Sequence, residues 1–258
     1  MKKVAIALLF FGPAVYAQQT GRIDTDRPDQ TESAFLVPKK FFQAELGLSK
    51  ETDADKNYVI THPSALLKYG LSDRVELRLQ VTPQTTYQHG VPETRSEFAL
   101  PPVELGTKLR LWEGQGFLPK TSVIVHFGLP FIASDSFRNK PVYFAARLTF
   151  QNSITENFGI GCNLGVHTGR GEATHFFYSL APGLDIGRRW YAYLESFGSL
   201  YRNYAEHFAD AGLAYYVTDN SKVDVSAGTQ VGSAEKAHYV ALGFSFRLPP
   251  TAQKKASR

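Results

Sequence analysis

The sequence predicts an all-β chain, closed into an antiparallel transmembrane β-barrel of about twelve strands in an outer membrane. Three observations predict it. Residues 74–81 read Arg-Val-Glu-Leu-Arg-Leu-Gln-Val, an unbroken alternation of polar and aliphatic residues, and strand geometry sends successive side chains to opposite faces. Similar alternation recurs many times, separated by turns that are alternately very short and rather long. An export signal stands in front of it. Together these are the marks of an outer-membrane barrel, with short periplasmic turns and longer extracellular loops.

The export signal is residues 1–17, with Lys2 and Lys3, an apolar run over 4–11, a Gly12-Pro13 break and a small residue, Ala17, before Gln18. It is too short to span a bilayer as a helix and is set aside from the fold. No later apolar run reaches the length of about 18 residues that a membrane helix needs. Removing Lys2 and Lys3 from 28 basic residues against 24 acidic ones leaves a net charge of +2, which gives no case for nucleic acid. Cys162 is the only cysteine, so no intrachain disulfide forms. It alternates with glycines and reads as a small lipid-facing residue. Nineteen Phe, 13 Tyr and 2 Trp suit the aromatic girdles of a barrel.

Residues 18–39 form a polar N-terminal segment, and strands fill 40–248. The alternation places them over about 40–50, 63–71, 74–81, 103–111, 121–129, 142–152, 158–167, 175–186, 190–201, 207–217, 222–231 and 238–248. In the first, Phe42, Ala44, Leu46 and Leu48 oppose Gln43, Glu45, Gly47 and Ser49. Short turns at Ser72-Asp73, Thr155-Glu156-Asn157 and Thr218-Asp219-Asn220 carry a hydroxyl and an acid suited to local hydrogen bonds to the backbone. They fall on one side of the zigzag, and the longer loops, 83–101 and 130–141 among them, fall on the other. An even strand count puts both termini in the periplasm. Residues 249–258 read as a polar, disordered tail.

If the apolar faces meet lipid, the opposite faces line the lumen. The candidates are Lys68, Arg74, Arg78, Lys108, Arg110, Arg147, Lys222 and Arg247 against Glu45, Glu76, Glu104, Asp185, Glu195, Asp210 and Asp224. Signs are nearly balanced, whereas a pore tuned for anions carries an excess of base. Such a set makes either an interior ion-pair network or a polar translocation path. In the N-terminal segment, Asp26, Arg27, Asp29 and Glu32 form a candidate plug that folds into the lumen and pairs with wall charges; the alternative is a periplasmic lead-in that pins the first strand. Glycines at 161, 165, 183, 212, 228 and 243 read chiefly as aids to curvature.

Enzymatic readings fare poorly. Gly159-x-Gly161 lacks the helix that a nucleotide loop needs. His126, His167, His175 and His238 do not fall at metal-ligand spacing, so no metal or other cofactor is expected. Outer-membrane phospholipase also has twelve strands, but no matching catalytic motif is visible.

The run Thr25-Asp26-Arg27-Pro28-Asp29-Gln30-Thr31-Glu32-Ser33 resembles the N-terminal signature of a family of outer-membrane transporters labelled MetA-pathway of phenol degradation. Further motifs follow in the family's order: Glu104-Leu105-Gly106-Thr107-Lys108, Gly128-Leu129-Pro130, Asn163-Leu164-Gly165, Glu195-Ser196-Phe197-Gly198, Asp210-Ala211-Gly212 and Asp224 with Gly228. The resemblance implies an outer-membrane barrel that moves small, aromatic or hydrophobic molecules, and it brings no catalytic residues. The expectation is a passive channel with outer-membrane lipid, the barrel-insertion machinery and a small-molecule cargo as partners. The competing expectation is a filled barrel with a structural or surface-interaction role.

Overall fold

The computed structural model describes residues 21–90, 94–138, 140–169, 174–232 and 236–250. The predicted signal peptide and residues 251–258 of the predicted tail lie outside them. Among the described residues fourteen strands form one antiparallel sheet: β1 (Phe42–Thr52), β2 (Tyr58–Gly70), β3 (Val75–Val81), β4 (Gln84–Gln88), β5 (Arg95–Ala99), β6 (Val103–Trp112), β7 (Lys120–Leu129), β8 (Tyr143–Ser153), β9 (Phe158–Gly169), β10 (His175–Ile186), β11 (Trp190–Leu200), β12 (Ala205–Thr218), β13 (Ser221–Gln230) and β14 (His238–Leu248).

Twelve of these close on themselves. β1 pairs with β2 from Phe42–Tyr69 to Thr52–Tyr58, and with β14 from Phe42–Leu248 to Thr52–His238. Closure leaves the barrel no edge, which a sheet in hydrocarbon requires because no water is there to satisfy free N–H and C=O groups. No helix among the described residues is long and apolar enough to cross a membrane. The strands match the sequence expectation closely, with β10 and β14 identical to it.

The remaining two strands correct an expected plain loop over 83–101. β2 outlasts β3: its Ala65–Gly70 half pairs with β3, while Tyr58–Thr61 pairs with β4. β4 continues the line of β3, and β5 returns beside it towards β6. Pro83, Pro101 and Pro102 fall at the two interruptions, where a residue without an N–H cannot join a ladder. Gln84-Thr85-Thr86-Tyr87-Gln88 lacks apolar alternation, and that hid it. The loop over 130–141 also holds structure, a 3-10 turn at Pro130–Ile132 and a one-turn helix at Asp135–Arg138. Reciprocal bonds between Ser134 and Leu100 tie it to the neighbouring loop.

The hydrophobic pattern is inverted relative to a water-soluble protein. Leu77, Leu105, Leu148, Leu164, Leu194, Leu213, Leu242 and Phe244 are exposed on the outer wall. Gln43, Glu45, Lys68, Glu76, Arg78, Lys108 and Asn163 are buried inside. Cys162 lies between lumen-facing Gly161 and Asn163 in β9, so it sits on the outer face. At one end of the barrel the connections are turns over 71–74, 113–119, 154–157, 187–189 and 219–220; at the other are the remaining loops and the β4–β5 hairpin. Phe42 and Leu248 place the start of the first strand and the end of the last at the turn end.

Candidate functional site

The lumen is occupied by the chain's own residues 21–38. Ile23 N–H bonds the Asp219 carbonyl at 2.7 Å, placing this point at the turn end. From there the segment passes across the interior and returns to bridge Lys39 with Gly70. A segment this polar folds into a barrel only if the wall satisfies its backbone groups and charges. The wall does so from all twelve strands.

Asp26 is the hub. Its carboxylate lies 2.8 Å from Lys68 Nζ, 3.0 Å from Arg78 Nη1 and 3.1 Å from Lys108 Nζ, and also accepts from Ser33 N–H at 3.0 Å. Burial alone would push this carboxyl up, but Lys108, Lys68 and Arg78 together hold it well below the usual carboxylate range. Glu45, also paired with Lys68, accepts from Asp26 N–H at 3.0 Å. Glu76 bonds Arg78 at 3.0 Å and Val37 N–H at 2.7 Å. Lys108 reaches the Ser33 carbonyl at 2.8 Å, and Ser122 Oγ donates to the Ala34 carbonyl at 2.7 Å.

Glu32 binds Arg78 at 2.6 Å and stands 3.5 Å from Arg147, while its N–H and C=O both bond the Asn163 amide. Arg147 also donates to the Gln30 carbonyl at 3.0 Å. Glu195 accepts from Gln30 N–H at 2.7 Å and from the Thr31 hydroxyl, which also meets Ser179. Arg27 spans to Asp224 at 3.2 Å and to the Leu242 carbonyl at 3.1 Å. Its guanidinium fills a slot between Gly47 and Gly243, which face each other across β1 and β14; a Cβ on either would come within 2.4 Å of it. Lys222 donates to the Arg27 carbonyl at 2.5 Å. Arg22 pairs with Asp185 and lies 3.8 Å over the Tyr216 ring of β12. Arg247 holds the Gly21 carbonyl at 2.6 Å.

The remaining predicted residues differ in placement. Glu104 accepts from Tyr143 OH at 2.6 Å and stands 3.3 Å from His126. Asp210 accepts from Tyr193 OH at 3.1 Å and from Tyr239 OH. Arg110 lies at the turn end, paired with Glu113 at 2.7 Å. Arg74 does not line the lumen: it is exposed in the turn before β3, because the strand begins one residue later. Asp29 reaches into the interior, where burial and the facing Glu195 push its carboxyl well above the usual range, with Lys222 opposing. The glycines also differ from expectation. Gly212 and Gly228 leave clearance for the rings of Tyr193 and Tyr239 rather than only easing curvature.

Sequence reasoning missed Ser122, Asn163 and Ser179 as contacts of the segment, although strand parity already put them on the lumen side. It also missed an aromatic run at the loop end, where His167 stacks on His175 at 4.9 Å, flanked by Tyr143 at 4.7 Å and Tyr201 at 4.7 Å. Tyr143, His167, His175 and Phe177 line a loop-side cavity of about 350 Å³, floored by Arg27, Asp29, Gln30 and Glu32. On the turn side a cavity of about 230 Å³ meets Arg27 and Asp29 from below. The segment therefore stands between the two. Among the described residues no cluster fits a metal ion.

Among solved structures, the chain resembles an outer membrane channel from Pseudomonas putida F1, with a TM-score of 0.64 at 8% identity over 84% of this chain and 98% of that one. It also resembles the NanC porin, with a TM-score of 0.55 at 8% identity over 80% of this chain and 100% of the other. For the KdgM porin the TM-score is 0.53 at 10% identity over 78% and 98%. At these identities the likeness is one of fold. No curated protein matches the chain in sequence. A family model does, over residues 25–248, and the chain belongs to the family described as "Putative MetA-pathway of phenol degradation".

Proposed function

We propose that this protein is a passive outer-membrane channel for small molecules, aromatic or hydrophobic ones in particular, and that residues 21–38 are its plug. The observation that carries the reading is the position of Arg27 and Asp29 between loop-side and turn-side cavities. Wall charges that would otherwise bind water or ions are spent on the segment, which suits a gate. The rings of Tyr143, His167, His175 and Phe177 around the loop-side cavity offer stacking faces to a planar solute. The family description points to the same cargo class. The short-turn end belongs in the periplasm and the loop end outside, as in barrels of this class. This reading includes export by the signal peptide, insertion by the barrel machinery and a shell of outer-membrane lipid.

Planar-bilayer conductance of refolded residues 18–258, with and without 21–33, tests it. The expected result is small or rare steps from the full chain and large, salt-dependent steps after deletion. The contacts made with all twelve strands favour a second reading, a filled barrel with a structural or surface-interaction role acting through the loops over 83–101 and 130–141. A deleted barrel that folds, shifts on heating in gels and still stays silent would select it.

A further inference from the structure

The outer wall carries a groove that the channel reading does not use. It is about 570 Å³ in volume and opens outward between β10, β11, β12 and β13. Its flanks are Leu184, Leu194 and Leu213, and its floor is low because Ala192, Ala211 and Ala227 stand together where neighbouring wall positions carry larger side chains. Ala192 pairs with Leu184 on one side and Leu213 on the other, and Ala211 with Leu194 and Ala227, so the concavity is continuous across three strand pairs.

The groove ends at a cationic clamp. One outward-facing step towards the turn end, about 7 Å along the strand, Trp190 pairs with Tyr215 and their rings lie 4.9 Å apart. Arg189, in the turn just before Trp190, donates to Tyr215 OH at 3.0 Å with its guanidinium 6.0 Å from the ring. Its backbone carbonyl is fixed by Tyr216 N–H at 2.8 Å. Arg188 and Arg189 are both exposed, and among the described residues neither forms an ion pair; Asp219, in the adjacent turn, is the acid that acts on Arg189. An aromatic pair at the rim, a held guanidinium beyond it and a dry trough leading away match the division of a phospholipid into interface, headgroup and chain.

We propose that this groove is a binding site for an anionic phospholipid, with one acyl chain over Ala192 and Ala211 and the headgroup phosphate at Arg189. The site needs the barrel to lie in a bilayer but does not depend on transport or on which end faces the periplasm. The chain's two tryptophans make the test direct. In a Trp112→Phe background, Trp190 is the single reporter, and it borders the site. The protein is refolded into symmetric vesicles holding graded fractions of dibrominated phosphatidylglycerol or dibrominated phosphatidylcholine in an unbrominated phosphatidylcholine host.

The expected result is that phosphatidylglycerol half-quenches Trp190 at about one-fifth of the fraction that phosphatidylcholine needs, the preference one well-placed surface cation gives for an anionic lipid. Arg189→Gln should bring the two lipids level, while Arg189→Lys, which keeps the charge, should retain most of the difference. Equal quenching before substitution would overturn the site, and so would a preference that survives in Arg189→Gln. Since no conductance is read, failure here leaves the channel reading standing, and failure of the channel reading leaves this one.

Discussion

Lys108 Nζ stands 3.1 Å from Asp26 Oδ1, a contact that joins residues 82 positions apart inside a barrel wall where both side chains are shut off from water. Two further cations converge on the same carboxylate. A buried charge of this kind is costly to leave unpaired, so Asp26 is the residue on which seating of the segment turns.

Asp26→Asn keeps the shape and removes the charge. Lys68, Arg78 and Lys108 would then share Glu45, Glu76 and Glu32, and the cost of unbalancing a buried cluster is about 3 kcal/mol. The expected outcome is a folded barrel with larger and more frequent conductance steps and a lower temperature for the gel-mobility shift.

Gly47→Ala places a methyl group 2.3 Å from Arg27 Nη1. The obstructed atom is the end of a flexible side chain, so Arg27 can swing away and the wall need not deform. Loss of the Asp224 bond should weaken seating of the segment by about 1.5–3 kcal/mol, the range for a hydrogen bond to a charged group. Conductance noise should rise, and Gly243→Ala, whose methyl group would meet the Asp224 carboxylate as well as Arg27, should raise it further.

Asp29 sets a pH dependence. Its carboxyl sits well above the usual range because burial and Glu195 oppose ionisation. A group raised in the seated state contributes stability that is complete below the ordinary aspartate value near 3.8 and is lost as pH rises through the elevated one. Lowering pH from neutral should therefore quieten the channel, until Asp26, held low, begins to protonate in strong acid and releases the segment. Conductance recorded against pH in Asp29→Asn should lose the first change and keep the second.

Leu194 tests the membrane face. It is 66% exposed on the outer wall. Leu194→Arg near the bilayer midplane should cost about 2–4 kcal/mol, read as a lower denaturant midpoint in lipid. A substitution without effect there would mean that this face does not meet hydrocarbon.

Much of the barrel was legible because a strand between lipid and lumen must alternate, and the chain does so from Val75 to Val81 and from Val240 to Leu248. β4 and β5 were hidden because neither carries that alternation. Within the lumen, residue type marked Asp26, Arg27, Asp29 and Glu32 as charges in search of partners. Which partners was not legible, since Arg27 meets Asp224 across 197 positions and Glu32 meets Arg78 across 46. Such pairings come from barrel closure, not from local spacing. The Gly47–Gly243 slot likewise exists only where the first and last strands meet.

That meeting has a consequence for assembly. The contact of greatest sequence separation in the barrel joins its two ends, here β1 and β14, so the loop to be closed contains nearly the whole chain. The residues leading into β1 carry Arg27, which grips Asp224 of β13 and the Leu242 carbonyl of β14 on the far side of that junction. They are thus a stitch across the seam as well as an occupant of the interior. The sheet can wrap around them as around a mandrel, and its circumference is then gauged by what it encloses.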